Sequence, residues 1–138
     1  IGKKIESFKI KFLLDDEAFE NKDLLKDKYY LINIWASWCL PCKKEHPILL
    51  KLSKADNLKL IGVNFKDKKI NAKNFLRDLG NPYDIILSDA DGTSSISFGV
   101  FGVPETILIN KEQIVIKKFI GPLNTKDYKS ILKLTNEN

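Results

Sequence analysis

The run Tyr29-Tyr30-Leu31-Ile32-Asn33-Ile34-Trp35-Ala36-Ser37-Trp38-Cys39-Leu40-Pro41-Cys42 decides how this chain folds. Its first half is rich in aromatic and β-branched residues and reads as a buried strand. Its second half holds both cysteines of the chain, with two residues between them. The residues after Cys42 have helical spacing, with Ile48, Leu49 and Leu52 on one face and Lys43, Lys44, Lys51 and Lys54 largely on the other. The thiols therefore sit where a strand gives way to a helix. Unbonded amides at a helix N-terminus favour an anion, so Cys39, at the helix mouth, should ionise more readily than an ordinary thiol. Cys42, one turn further in, is sheltered and placed to attack a mixed disulfide formed at Cys39.

Other uses of the pair fit less well. A static cross-link over so short a loop removes little chain entropy. A structural zinc site takes about four protein ligands, and beyond the two cysteines only His46 is available. Haem attachment needs His directly after the second cysteine, where this chain has Lys43. Reversible dithiol–disulfide exchange is the chemistry that remains, and it needs neither metal nor organic cofactor.

Composition bounds the rest. The 138 residues, 43% hydrophobic and 30% charged, describe one soluble globular domain spanning residues 1–138. The net charge of +5 is spread along the chain among acidic residues, and Arg77 is the sole arginine. Phosphate recognition favours arginine forks gathered on one face, so no nucleic-acid partner is expected. The chain lacks methionine and begins Ile1-Gly2-Lys3. This predicts a processed chain from which an N-terminal signal or membrane anchor is absent, since no stretch approaches the ~20 apolar residues of a span.

From Tyr29 onward the pattern alternates. Strand Tyr29–Ala36 leads to helix Pro41–Ala55, and strand Leu58–Phe65 to helix Asn71–Leu79. Strand Ile85–Leu87 and a short helical piece at Thr93–Phe98 come next, then strands Thr106–Ile109 and Ile114–Phe119, and helix Thr125–Leu134. Asn110-Lys111-Glu112 is a hairpin turn between the last two strands. Before Tyr29 stands a short apolar segment, Phe8 to Leu14, and then a stretch expected to loop into the core. Pro47 should kink its helix or mark the end of it. This order gives an α/β fold, a mixed sheet covered by helices on both faces.

Two segments, Trp35-Ala36-Ser37-Trp38-Cys39-Leu40-Pro41-Cys42 and Gly102-Val103-Pro104, resemble the signature positions of the thioredoxin superfamily. Others narrow the likeness: Glu45-His46-Pro47, Gly62 to Asp67, Leu79-Gly80-Asn81-Pro82-Tyr83, Asp89-Ala90-Asp91-Gly92, and Phe98 to Thr106 with Glu105 beside the proline. In that order they resemble the CcmG/DsbE family of thiol reductases, over nearly the whole chain from Tyr29.

The resemblance implies a thioredoxin-like fold and a cis peptide before Pro104, with Val103 pairing to the partner's backbone. Trp38, Pro41, Val103, Pro104 and Thr106 are then the expected partner-binding residues, with Trp38 packed beside Cys39. Thioredoxins carry an Asp where this chain has Asn33; the family instead places acids nearer the surface of the site, matching Glu45 and Glu105. A carboxylate near the thiols opposes thiolate formation and can relay protons. On periodicity alone, Glu45 would instead be a solvated acid paired with a lysine.

The activity implied is that of an extracytoplasmic reductant in cytochrome c maturation. Its partners would be apocytochrome c or a maturation protein, and a membrane thiol carrier would re-reduce it. The resemblance also implies a monomer tethered at the periplasmic side of the inner membrane. The alternatives are a general oxidase or isomerase, a thioredoxin-like peroxidase, for which Ser37 is a poor substitute for the usual Thr, and a binding module around Pro104. Trp35 is expected in the core, His46 at the surface or in packing, Phe101 at the groove or in the core, and Asn64 to Asp67 in support of the site.

Overall fold

A computed structural model describes residues 1–135 of the chain. The apolar run seen in the sequence forms strand β3 (Tyr29–Trp35), six of whose seven residues are buried. Helix α1 (Leu40–Leu52) returns the chain to β4 (Leu58–Phe65), and α2 (Lys69–Leu79) carries it to β5 (Ile85–Asp89). After the short α3 (Thr93–Ser97) come β6 (Glu105–Ile109), β7 (Val115–Ile120) and α4 (Thr125–Leu134). The five strands form one sheet in the order β5-β4-β3-β6-β7. β3, β4 and β5 run parallel, while β6 and β7 run antiparallel.

Alternation along β3 divides the core in two. Leu31 and Trp35 point to the face covered by α1, α2 and α4, where they meet Leu49, Leu52, Phe75 and Ile131. Tyr30, Ile32 and Ile34 point to the other face, where they meet Phe8, Ile10, Phe19 and Val100. That second face is covered by α3 with the residues after it, and by a hairpin of two three-residue strands, β1 (Lys9–Lys11) and β2 (Ala18–Glu20). Helices thus lie on both sides of a mixed sheet.

The boundaries differ from the sequence reading in instructive ways. The apolar segment Phe8 to Leu14 and the stretch after it, expected to loop into the core, together form this hairpin, and it lies against the edge of β5. Helix α1 passes through Pro47 and ends at Leu52, so the proline does not terminate it. Strand β5 continues two residues past Leu87 to Asp89, whose carboxylate accepts bonds from Ser94 N, Ser95 N and Ser95 Oγ. Those bonds secure the start of α3.

Candidate active site

Cys39 is the N-cap of α1, and Pro41 occupies the first turn, where a missing amide hydrogen costs nothing. The amide of Cys42 points at Cys39 Sγ, 3.2 Å away. This is the orientation that would stabilise a thiolate there. The two cysteines are joined as a disulfide. Cys39 retains 5% of its surface and Cys42 1%, so the first cysteine is the more accessible of the two.

The turn before Cys39 is tied to the end of β4. Asp67 accepts from Ser37 N at 2.7 Å and Ser37 Oγ at 2.8 Å, and also from Asn64 Nδ2 and Lys68 N. Lys66 adopts a positive φ of 45°, rare for a residue with a Cβ. Its carbonyl accepts the Trp38 indole N–H at 2.9 Å. The expected supporting role of Asn64 to Asp67 thus has a definite form. Trp38 itself is 59% exposed, and its indole N–H reaches across to Lys66.

Beneath the pair lies a buried polar cluster. Glu45 is completely buried and shares an α1 stripe with Cys42, Leu49 and Leu52. Residues three apart on a helix are neighbours, so its carboxyl group lies one turn below Cys42. Asn33 Nδ2 donates to Glu45 Oε2 at 2.9 Å, and Leu123 N donates to Oε1 at 3.1 Å. Burial nevertheless dominates and pushes the Glu45 pKa from 4.5 up to about 7. The expectation of an acid near the surface, or solvated and paired with a lysine, is therefore corrected. Lys43 and Lys44 take the exposed positions, while Glu45 is at the inward spacing from Cys42.

Glu105 differs from expectation in another way. It pairs with Ile34 in the β3–β6 ladder, so it projects on the sheet face opposite to Asn33 and Glu45. Its carboxylate accepts from Phe101 N and Gly102 N, both at 3.1 Å, and pairs with Lys118 at 3.3 Å. Lys118 also donates to Gly99 O. Glu105 therefore braces the loop before Pro104, and its charge is already met there by a cation and two amides.

The Val103–Pro104 peptide is cis. Thr106, expected to face a partner, is fully buried and accepts from Asn33 Nδ2 at 3.0 Å. Phe101 is 78% exposed and so is not a core residue, whereas Trp35 is. His46 is a packing residue. Its ring meets Phe75 edge-on, its Nε2 bonds to Gly80 O, and burial lowers its pKa.

Sequence reasoning missed Tyr83, whose hydroxyl donates to Asn33 Oδ1 at 2.7 Å. The available signal was Gly62, a glycine inside an apolar strand, which often marks the close approach of another group. A cavity of about 470 Å³ opens between Lys9–Leu13 and residues 88–94, and neither cysteine lines it.

A close cysteine pair at the mouth of a helix, on a sheet of this order, defines a thiol–disulfide oxidoreductase with a thioredoxin-like fold. The Redoxin family model matches residues 1–133, and the chain belongs to that family. Among its relatives is the thiol:disulfide interchange protein CycY of Rhizobium leguminosarum, 44% identical over 71% of this chain and 53% of the relative. Another is the thiol:disulfide interchange protein DsbE of Escherichia coli K12, 37% identical over 96% of this chain and 72% of the relative. The chain thus spans about half to three-quarters of these relatives' lengths. A crystal structure of a thiol:disulfide interchange protein of the thioredoxin family from Chlorobium tepidum shares the fold. Its TM-score is 0.80 at 24% identity, over 98% of this chain and 97% of that one.

Proposed function

We propose that this protein is a reductant that donates two electrons to disulfides in apocytochrome c, or in a protein of cytochrome c maturation, outside the cytoplasm. The observation that carries the reading is the buried Glu45 carboxyl one turn from Cys42, with a proton affinity near neutrality. A group of that affinity can take and return a proton at working pH. Its charge also opposes a second negative charge on the thiols, as suits a reductant better than an oxidant. The kinship with DsbE and CycY proteins supports the partner class.

In the proposed cycle, Cys39 thiolate attacks the partner disulfide, forming a mixed disulfide and releasing one partner sulfur as a thiolate, which takes a proton from water. Glu45 carboxylate takes the Cys42 proton. Cys42 then attacks Cys39 Sγ, the Cys39–Cys42 bond forms, and the second partner sulfur leaves and is protonated. Two electrons pass to the partner, and a membrane thiol carrier restores the dithiol. The cysteine pair carries the exchange without metal or organic cofactor.

The site of action is the periplasmic face of the inner membrane. Among the described residues no helix is long and apolar enough to cross a membrane. Partner docking falls to Trp38, Pro41, Val103 and Pro104, with exposed Phe101 beside them.

Equilibration with glutathione tests the direction of electron flow. The expected potential lies nearer ~−200 to −270 mV, the range of glutaredoxins and thioredoxin, than ~−120 mV, that of a strong oxidant. A value near the last figure overturns the reading in favour of an oxidase. A Cys-x-x-Cys-His peptide disulfide should be reduced faster than insulin, and equal rates would remove the partner assignment.

A further inference from the structure

Asn33 lies fully buried in the central strand, between Glu45 and Tyr83. Both hydrogens of its amide nitrogen are used, one to Glu45 Oε2 and one to Thr106 Oγ1. A side-chain amide can turn either end to a carboxyl group. Its NH₂ end stabilises the carboxylate, whereas its oxygen stabilises the protonated acid. Here the Tyr83 hydroxyl donates to the Asn33 oxygen, and the NH₂ end is turned to Glu45.

Tyr83 reaches Asn33 because of a missing side chain. Gly62 is the ladder partner of Asn33 on β4, and a Cβ there would meet the Tyr83 ring at 2.7 Å. The ring lies in the space that glycine leaves and stacks on Trp35 with centroids 5.7 Å apart. Burial and the charge of Glu45 raise the Tyr83 pKa well above 10, so the hydroxyl keeps its proton to donate.

We propose that Tyr83, seated over Gly62, is a positioning residue for thiol–disulfide exchange: by holding the Asn33 amide in one orientation it favours the charged form of Glu45. This rests on the proton role proposed for Glu45. The groups that face Glu45 are Asn33 from β3, Leu123 N ahead of α4, the Tyr83 phenol beyond Asn33, and Cys42 on its own helix. Lys43 and Lys44 are exposed, the His46 ring turns to Gly80 and Phe75, and Glu105 and Lys118 bond to each other and to the 99–102 loop.

Carboxyl-¹³C glutamate NMR of the oxidised protein, where no thiol titrates, reads Glu45 directly. Tyr83→Phe keeps the ring, its volume and its stack, and removes only the donor. It should raise the Glu45 midpoint by ~1 unit, a tenfold gain in proton affinity. Gly62→Ala, which displaces the ring, should shift it the same way. In the reduced protein, Tyr83→Phe should move the pH profile of Cys39 alkylation, and should have no such effect in a Glu45→Gln background. A Glu45 midpoint unchanged or lowered by Tyr83→Phe overturns the proposal, as does an equal change of the thiol profile without Glu45. If Glu45→Gln alone leaves the thiol profile unmoved, the proton role of Glu45 fails, while the Tyr83 effect on the carboxyl signal is still read independently.

Discussion

Replacing Glu45 by Gln removes one titrating group from the core while nearly preserving its shape. In the folded protein the carboxyl keeps its proton up to about pH 7, against 4.5 for its ordinary value. Between those values the folded chain binds one more proton than the unfolded chain, so stability falls as pH rises through the window. A gap of about two and a half units, at ~1.36 kcal/mol each, amounts to roughly 3 kcal/mol. No discount for solvent screening applies, because the side chain is completely buried. His46 acts in the opposite sense. Burial lowers its pKa, so it withdraws stability as pH falls below its unfolded value. Subtracting the curves of the two proteins cancels His46 and isolates Glu45. Urea unfolding of the oxidised proteins from about pH 5 to about pH 8 should show wild type losing roughly 2–3 kcal/mol relative to Glu45→Gln. A difference that stays flat across this range would refute a carboxyl raised by burial, and with it the proton-carrier role.

Two more outcomes are set by the geometry. In the reduced protein, brief iodoacetamide treatment should label Cys39 before Cys42, as mass mapping would show, and Cys42→Ser should accumulate mixed disulfides at Cys39; preferential labelling of Cys42 would reverse the roles. Asp67→Ala removes the acceptor for Ser37 N, Ser37 Oγ and Asn64 Nδ2. It should cost roughly 2–3 kcal/mol in urea unfolding, as charge-assisted hydrogen bonds do, and a loss under about 0.5 kcal/mol would show that the Cys39 turn holds itself.

The parts of the fold readable from sequence were those with sustained period. β3, β4 and α4 each carry enough residues to show it, and they begin and end close to where the pattern places them. The β1–β2 hairpin has three residues per strand, too few for alternation to register. At the site, the spacing of the cysteines is local information and was legible. The burial of Glu45 was also written in the stripe Cys42, Glu45, Leu49, Leu52, but acids are so seldom buried that composition argued against it. Tyr83 could not be placed from its own neighbourhood, because its contact with Asn33 spans fifty positions of sequence. Glu105 shows the reverse error. Adjacency to Pro104 is real, but one step along a strand reverses the direction of a side chain.

The first thirteen residues bond to both edge strands of the sheet. Gly2 N bonds to Val115 O and Val115 N to Lys3 O along β7, while Leu13 N bonds to Ile86 O beside β5. The rest of β7 carries Lys117 and Lys118, charges that discourage the addition of a foreign strand. A catalyst whose proposed clients are unfolded chains works constantly among sticky backbones. With part of each edge occupied in this way, fewer unpaired backbone groups are left to template the pairing of an extended chain. The N-terminal segment thus acts as insulation along the sheet's edges.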